Sequence, residues 1–323
     1  MYENKTKTQD SWETYWRGAN GQVALTNEGE TDPALNIFWE GFFKTVRTDY
    51  AVPNIIDIAS GNGAVIKIAQ KILGKLDFKL TSLDISESAI KNIEKSYPKI
   101  RGIVANATKI PYESTSFDIV TSQFGIEYAG IEAILEASRL VSVGGLLVLI
   151  MHQRSSIIDR KCSQNYKSIQ LLLNSEFIPL SIDMFRTGFN AVSGSDRQPY
   201  ENAAKKLAPS IKQVEDILNS YGTDTADGTI LKLYEDIGNI HKKIQYYDSN
   251  EVLEWLTNMK MEINAYSERM LSMTNSALDN SDMAEITSRL EENNFMIEHK
   301  ENLIGHNNRL PLGWTLVARR EPD

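Results

Sequence analysis

The sequence predicts an α/β fold, a parallel sheet covered by helices, with a helical block inserted before its last strands. Two patterns carry this. Up to about residue 152, short apolar β-rich runs alternate with helical stretches, the arrangement that builds a parallel sheet covered on both faces. From about residue 155 to 280 the strands stop and long amphipathic helices take over. The strand runs are Asn54–Ala59, Lys79–Ile85, Ile100–Ala105, Phe117–Ser122 and Gly145–Met151. Helical spacing falls between them over Ala64–Leu73, Ser88–Tyr97 and Ile131–Val141. In the helical block, Ile230, Leu233, Ile237, Ile240 and Ile244 form one stripe. Val252, Leu256, Met259, Ile263, Tyr266, Met270 and Met273 form a second. Tyr246–Asn250 supplies a turn between them, with Asp248 and Glu251 spaced as a capping box, so an antiparallel hairpin is expected. The α/β pattern returns with a helix over Ser281–Asn294, capped by Ser281, and strands over Phe295–Leu303 and Gly313–Arg320. The expected division is a core of residues 1–154 and 281–323 around an insertion of residues 155–280.

Composition narrows the function. The chain has 323 residues and a formal net charge of −9, a balance that disfavours nucleic acid as a partner. A single cysteine, Cys162, excludes an internal disulfide and any multi-cysteine metal centre; no metal site is predicted. The N-terminal MYENKTKTQD has no apolar stretch, so no signal peptide is expected, and the longest apolar run falls far short of the ~20 residues of a membrane span. A cytoplasmic location is expected.

The most informative stretch is Asp57-Ile58-Ala59-Ser60-Gly61-Asn62-Gly63, between the first strand and the first helix. In open α/β sheets ligands bind beyond the carboxyl ends of the strands. Glycines there let backbone approach a ligand and allow positive φ. Asp84, closing the second strand, stands where an acid accepts ribose hydroxyls. The dinucleotide spacing G-x-G-x-x-G fails because Ile66 occupies the third glycine's place. A carboxylate at Asp57 would repel a pyrophosphate and attract a cation.

DIASGNG resembles the first motif of class I S-adenosylmethionine-dependent methyltransferases, with Ala59 in place of its first glycine. The resemblance continues through Asp84 in LDIS, Asn106-Ala107 in VANATKIPYES, FDIVTSQFGIEYA and LVSVGGLLVLIMH. FDIVTSQFG is especially similar to the ubiquinone/menaquinone-biosynthesis-like branch. The resemblance implies a Rossmann-like sheet with its last strand antiparallel, and S-adenosyl-L-methionine as cofactor. It implies that Asp57, Ala59, Ser60, Gly61 and Gly63 line the methionyl part and that Asp84 holds the ribose. Ile85, Asn106 and Ala107 would flank the adenine, and Gln123 and Phe124 the transferred methyl. An Asn/Asp-Pro-Pro-aromatic motif after the fourth strand would mark amino-group methylation; SQFG stands there instead.

Two further features follow from the residues. Trp12, Tyr15 and Trp16 share one helical face, as an edge helix or as a lid over the cofactor, where Trp16 would face the sulfonium and Arg17 the cofactor carboxylate. His152, just after the fifth strand, is the candidate general base or substrate contact. The expected activity is methyl transfer by in-line displacement to a small or medium-sized molecule. Methylation of tRNA or protein, and a non-catalytic cofactor-binding role, are the alternatives. The insertion would serve as a substrate lid or as a homodimer surface.

Overall fold

Five parallel strands form the frame, and their order sets where the site lies. The computed structural model describes residues 12–13, 15–17, 32–306 and 310–322. The N-terminal decapeptide and Thr14, within the aromatic segment, lie outside the described residues. Helix α1 (Pro33–Asp49) precedes β1 (Asn54–Ile58), α2 (Ala64–Leu73), β2 (Lys79–Asp84), α3 (Glu87–Ser96) and β3 (Arg101–Val104). Then come β4 (Phe117–Gln123), a 3-10 turn (Ile126–Ala129), α4 (Ile131–Arg139) and β5 (Val141–His152). The chain returns to the sheet with α10 (Asn280–Glu292), β6 (Phe295–Ile304) and β7 (Pro311–Arg320).

The sheet has seven strands in the order β3-β2-β1-β4-β5-β7-β6. Strands β1 to β5 pair in parallel, and β7 runs antiparallel between β5 and β6. This is the Rossmann-like order with an antiparallel last strand that the family resemblance implied. The chain reverses direction across the sheet at β1, which has β2 on one side and β4 on the other. Loops at the carboxyl ends of β1 and β4 therefore diverge, the usual place for a ligand crevice.

Helix α1 carries no expectation from the sequence, yet it is strongly specified. Asp32 caps it by accepting from the Ala34 N–H at 2.8 Å, and Pro33 fits the first turn. Leu35, Trp39, Phe43 and Val46 bury one face. Full burial of a large apolar side chain such as Phe43 contributes roughly 1.5–3 kcal/mol.

Two of the boundaries that differ from expectation have a visible cause. Val141 pairs with Phe117 as the first residue of β5 instead of ending the preceding helix, and a register shift leads from there to the Ile119–Leu146 pair. The cap of α10 is Asp279, not Ser281. Asp279 accepts from the Ser281 and Asp282 N–H groups while Asp282 accepts from the Asp279 N–H, so a carboxylate two residues upstream closes the capping box.

The chain has two compact units, residues 161–271 and the remainder. The smaller one is helical. It holds most of α5 (Ile157–Asn174), all of α6 (Phe177–Val192), α7 (Gln198–Tyr221) and α8 (Thr229–Lys242), and most of α9 (Ser249–Ser276). Ile230, Leu233 and Ile237 of one stripe and Val252, Leu256 and Ile263 of the other enter one core with Phe177, Phe185 and Val214. Asp248 accepts from the Asn250 and Glu251 N–H groups and caps α9. Ala226 and Asp227 adopt left-handed backbone at φ 50° and 56°. They are held by Asn165, which accepts from the Ala226 N–H, and by Tyr266, whose hydroxyl bonds both Asn165 and Asp227. Among the described residues no helix is long and apolar enough to cross a membrane.

Replacing Asp279 by Ala removes the capping box, and chemical denaturation should report a loss of about 1 kcal/mol. Ser281→Ala should cost less than Asp279→Ala, because the Ser281 hydroxyl only adds a bond to the Asp279 carboxylate.

Candidate active site at the carboxyl edge of the sheet

Asp57 lies in the last turn of β1, fully buried between β2 and β4. Its register partner Thr121 donates a hydroxyl hydrogen bond to Asp57 Oδ1 at 2.8 Å. Burial is the largest influence and pushes the carboxyl up to about 7, against the pull of the Thr121 bond; the nearby Asp84 charge adds to the rise. Among the described residues Asp57 forms no ion pair with a cation.

The turn after β1 folds by left-handed backbone at Ala59, Gly61 and Gly63, with φ 54°, 50° and 80°. Ala59 thus takes, with a side chain, the conformation that the family's glycine takes freely, at a cost of order 1–2 kcal/mol. Its Cβ sits where a Cβ on Gly125 would fall, 2.6 Å away. Gly125, after β4, is therefore needed for the two loops to meet. The Ser60 hydroxyl pairs with that of Ser82 at 2.6 Å, and the Ser60 N–H donates to the Leu83 carbonyl, stitching the turn to β2.

Asp84 closes β2 and is buried. Its Oδ2 accepts from the Gly61 N–H and its Oδ1 from the Ser86 N–H, both at 2.9 Å. Burial raises its pKa, these bonds lower it, and the Glu13 charge adds to the rise. Ile85 beside it is half-buried. Beyond β3, Asn106 is exposed, its side-chain oxygen accepting from the Thr108 N–H and hydroxyl, while Ala107 packs against the sheet core.

The aromatic face predicted for Trp12, Tyr15 and Trp16 forms, with edge-on and stacked contacts among the three rings. Trp16 is buried over the glycine turn, where a Cβ on Gly61 would lie 2.6 Å from the indole. Its neighbour Glu13, which the sequence does not single out, accepts from the Ser86 and Ser88 hydroxyls and the Ser88 N–H at the start of α3. The hydrogen bonds to these serines outweigh burial and hold Glu13 below the usual carboxylate range. Arg17 is 73% exposed and lies 4.0 Å from Glu13.

On the other side of the switch point, Gln123 ends β4 and accepts from the Trp39 indole N–H at 2.6 Å. Phe124 follows in left-handed backbone at φ 51° and packs its ring 4.6 Å from the His152 imidazole. The α1 indole is thus a site-forming group. The aromatic-rich helical spacing of IFWEGFF is the signal that marks it.

His152 is 1% exposed, at the end of β5 opposite Gly313 of β7. The structure adds a partner that no sequence spacing suggests. Glu127 Oε1 lies 2.6 Å from His152 Nδ1 and also accepts from the His152 backbone N–H at 2.9 Å. Among the described residues, His152 Nε2 and Glu127 Oε2 are buried without a hydrogen-bond partner. The Tyr128 ring lies 5.6 Å from the imidazole, and Trp12 5.4 Å from Tyr128.

Residues 56–149 match the family model described as a methyltransferase domain. Among curated proteins, the chain is 34% identical over 107 residues to the ubiquinone/menaquinone biosynthesis C-methyltransferase UbiE of Rickettsia prowazekii, covering 30% of this chain and 43% of that protein. It is 27% identical over 121 residues to the demethylmenaquinone methyltransferase of Chlorobaculum tepidum, covering 36% of this chain and 49% of that one. The chain thus spans less than half the length of these relatives. Among solved structures it is similar to a SAM-dependent methyltransferase from Aquifex aeolicus (15% identity, 38% of this chain and 66% of that one, TM-score 0.31). It is also similar to phosphoethanolamine N-methyltransferase 1 of Haemonchus contortus in complex with phosphoethanolamine and S-adenosylhomocysteine (19% identity, 45% and 32%, TM-score 0.34). The strand order and the glycine turn agree with the methyltransferase-domain match over residues 56–149. Asp57, Gly61, Gly63, Asp84, Gln123 and Phe124 fall inside the match; Trp16, Arg17 and His152 lie outside it.

Gly125→Ala should lower stability by about 1–3 kcal/mol in denaturant titration, the usual range for overpacking. Adding Ala59→Gly should recover part of that loss, because it removes the Cβ clash at 2.6 Å but not the approach to the Ala59 carbonyl at 3.0 Å.

Proposed function

We propose that the chain is an enzyme that transfers a methyl group from S-adenosyl-L-methionine to a small aromatic acceptor. The observation that carries it is the pair of buried carboxylates at the glycine turn, Asp57 and Asp84, with no cation to offset Asp57 among the described residues. A dinucleotide pyrophosphate placed beside ionised Asp57 would meet a like charge; a ligand with a sulfonium and an ammonium would meet an opposite one. The cofactor, when bound, supplies an electrophilic methyl on sulfur.

The chain's own residues then have distinct tasks. Asp57, Ala59, Ser60, Gly61 and Gly63 hold the methionyl end. Asp84 retains acceptor capacity for ribose hydroxyls, because its two oxygens together offer about four lone-pair sites and the Gly61, Ser86 and Ile85 N–H groups do not fill them all. Ile85, Asn106 and Ala107 flank the base. Trp16 presents an indole face, which attracts a cation by about 0.5–2 kcal/mol. Arg17 is assigned to the cofactor carboxylate, as a bridge that would leave Glu13. Gln123, fixed by Trp39, and Phe124 border the methyl. The aromatic acceptor is supported by the rings of Phe124, Tyr128 and Trp12 around His152 and by the quinone-biosynthesis names of the curated relatives.

Calorimetry with S-adenosylmethionine, S-adenosylhomocysteine and NAD tests the cofactor. Binding of the first two without NAD is expected, and the reverse result removes the reading. Asp84→Asn should weaken cofactor binding by about 1.5–3 kcal/mol, the range for a hydrogen bond to a charged group. The Asp57 value sets a pH dependence. Below about 7 the free protein holds Asp57 protonated, so a cationic ligand must displace that proton. Binding should tighten as pH rises through about 7, and Asp57→Asn should flatten that trend.

A further inference from the structure

We propose that Glu127 and His152 form an acceptor-deprotonating pair, with His152 Nε2 taking a hydroxyl proton from the acceptor and Glu127 positioning the imidazole. This rests on the methyl-transfer reading and assigns the proton step within it.

The geometry fixes the tautomer. Glu127 Oε1 accepts from the His152 backbone N–H at 2.9 Å, so it faces the same residue as an acceptor and takes the Nδ1 hydrogen at 2.6 Å as well. Nε2 is left with its lone pair. Both side chains are essentially fully buried, at 1% and 0% exposure. A pair kept only for stability would have its remaining polar atoms bonded, since each buried group left without a partner costs about 1–3 kcal/mol. Here Nε2 and Oε2 are both without one among the described residues. The fold retains that cost at the carboxyl edge, beside the residues that follow β4, and nowhere else among the described residues does it leave open both members of a directly bonded acid–base pair.

The surroundings set the kind of acceptor. The imidazole is walled by the rings of Phe124 and Tyr128, at 4.6 and 5.6 Å. Phe124 is seated by Gly313, where a Cβ would lie 2.8 Å from its ring. At 1% exposure, an acceptor reaches Nε2 only by displacing a ring packed on it, which an aromatic ring replaces with least loss of contact. A hydroxyl on that ring brings its proton to Nε2. In the balanced step the hydroxyl proton passes to Nε2, the oxygen or its conjugated ring carbon gives an electron pair to the methyl carbon, and the carbon–sulfur bonding pair stays on sulfur. Where carbon is methylated, the ring then releases its own proton and regains aromaticity. Glu127 stabilises the imidazolium that forms, as the buried carboxylate does in other base pairs of this kind.

A binding experiment with nitrophenol dyes tests the pair without turnover. Each dye is buffered below its own pKa, so that free dye is the colourless phenol. The wild-type protein should generate the coloured phenolate band on binding. His152→Asn keeps a donor for Glu127 at the Nδ1 position but has no base at Nε2; it should bind dye and lose the band. Glu127→Gln should weaken the band while leaving dye affinity in place, a split that a purely structural role does not give. If His152→Asn fails to melt cooperatively, His152→Gln takes its place. No band with the wild type, or an equal band in the His152 variant, overturns the proposal. S-adenosylmethionine binding is followed calorimetrically on the same samples. Lost cofactor binding with the band intact removes the methyl-transfer reading and leaves the base; cofactor binding without the band removes the pair alone.

Discussion

The Gly61 N–H donates to Asp84 Oδ2, and much of the carboxyl edge hangs from that bond. It ties the loop after β1 to the end of β2, in register with the Ser60 N–H bond to the Leu83 carbonyl. The other oxygen of the same carboxylate receives the Ser86 N–H and so fixes the N-terminus of α3. Glu13 then bonds the Ser86 and Ser88 hydroxyls and brings Trp16 over Gly61. Each link constrains the next. A hydrogen bond to a charged group is worth about 1.5–3 kcal/mol, and burial strengthens its directionality by excluding water as a competitor.

The strand order divides the chemistry. The β1 and β2 ends carry carboxylates that burial holds above their ordinary values, a place for positive charge. The β4 and β5 ends carry Gln123, Phe124, Glu127 and His152, a place for an aromatic ring and a proton. The two sides meet where the Ala59 Cβ packs on Gly125, so the left-handed turn on one side sets the loop on the other. A residue with less freedom than glycine at 59 stiffens this contact. The cost is local backbone strain, which folded proteins retain where the surrounding packing over-determines it.

The sheet was legible because buried parallel strands read as apolar runs between glycine and acid turns, and the runs around Ile55 and Leu147 are of that kind. The glycine turn and Asp84 were legible because their spacing is local. Helix α1 was open to the same reading, since Leu35, Trp39, Phe43 and Val46 keep one face, but the polar stretch before it masks its start. The Ser281 cap misled because the helix starts one residue earlier, where Asp279 takes the Ser281 and Asp282 N–H groups with a full charge. Glu127 is different in kind. It lies 25 residues from His152, and nothing in FGIEYAG distinguishes a buried acid from a surface one.

Pairs such as Glu127–His152 escape sequence reading for a physical reason. Periodicity reports which face of an element is apolar, whereas a buried acid is accepted only when a second element delivers its partner. Here β4 must end, turn left-handed at Phe124 and start a 3-10 turn before Glu127 faces β5. The Ile126 N–H donates to the Ser122 hydroxyl, which holds that turn against the strand. The acid–base pair is thus a property of how two strand ends are closed, and the left-handed Phe124 is the hinge of that closure. The same residue that walls the imidazole sets the backbone that brings the carboxylate to it, so ring packing and proton chemistry at this edge are one structural event.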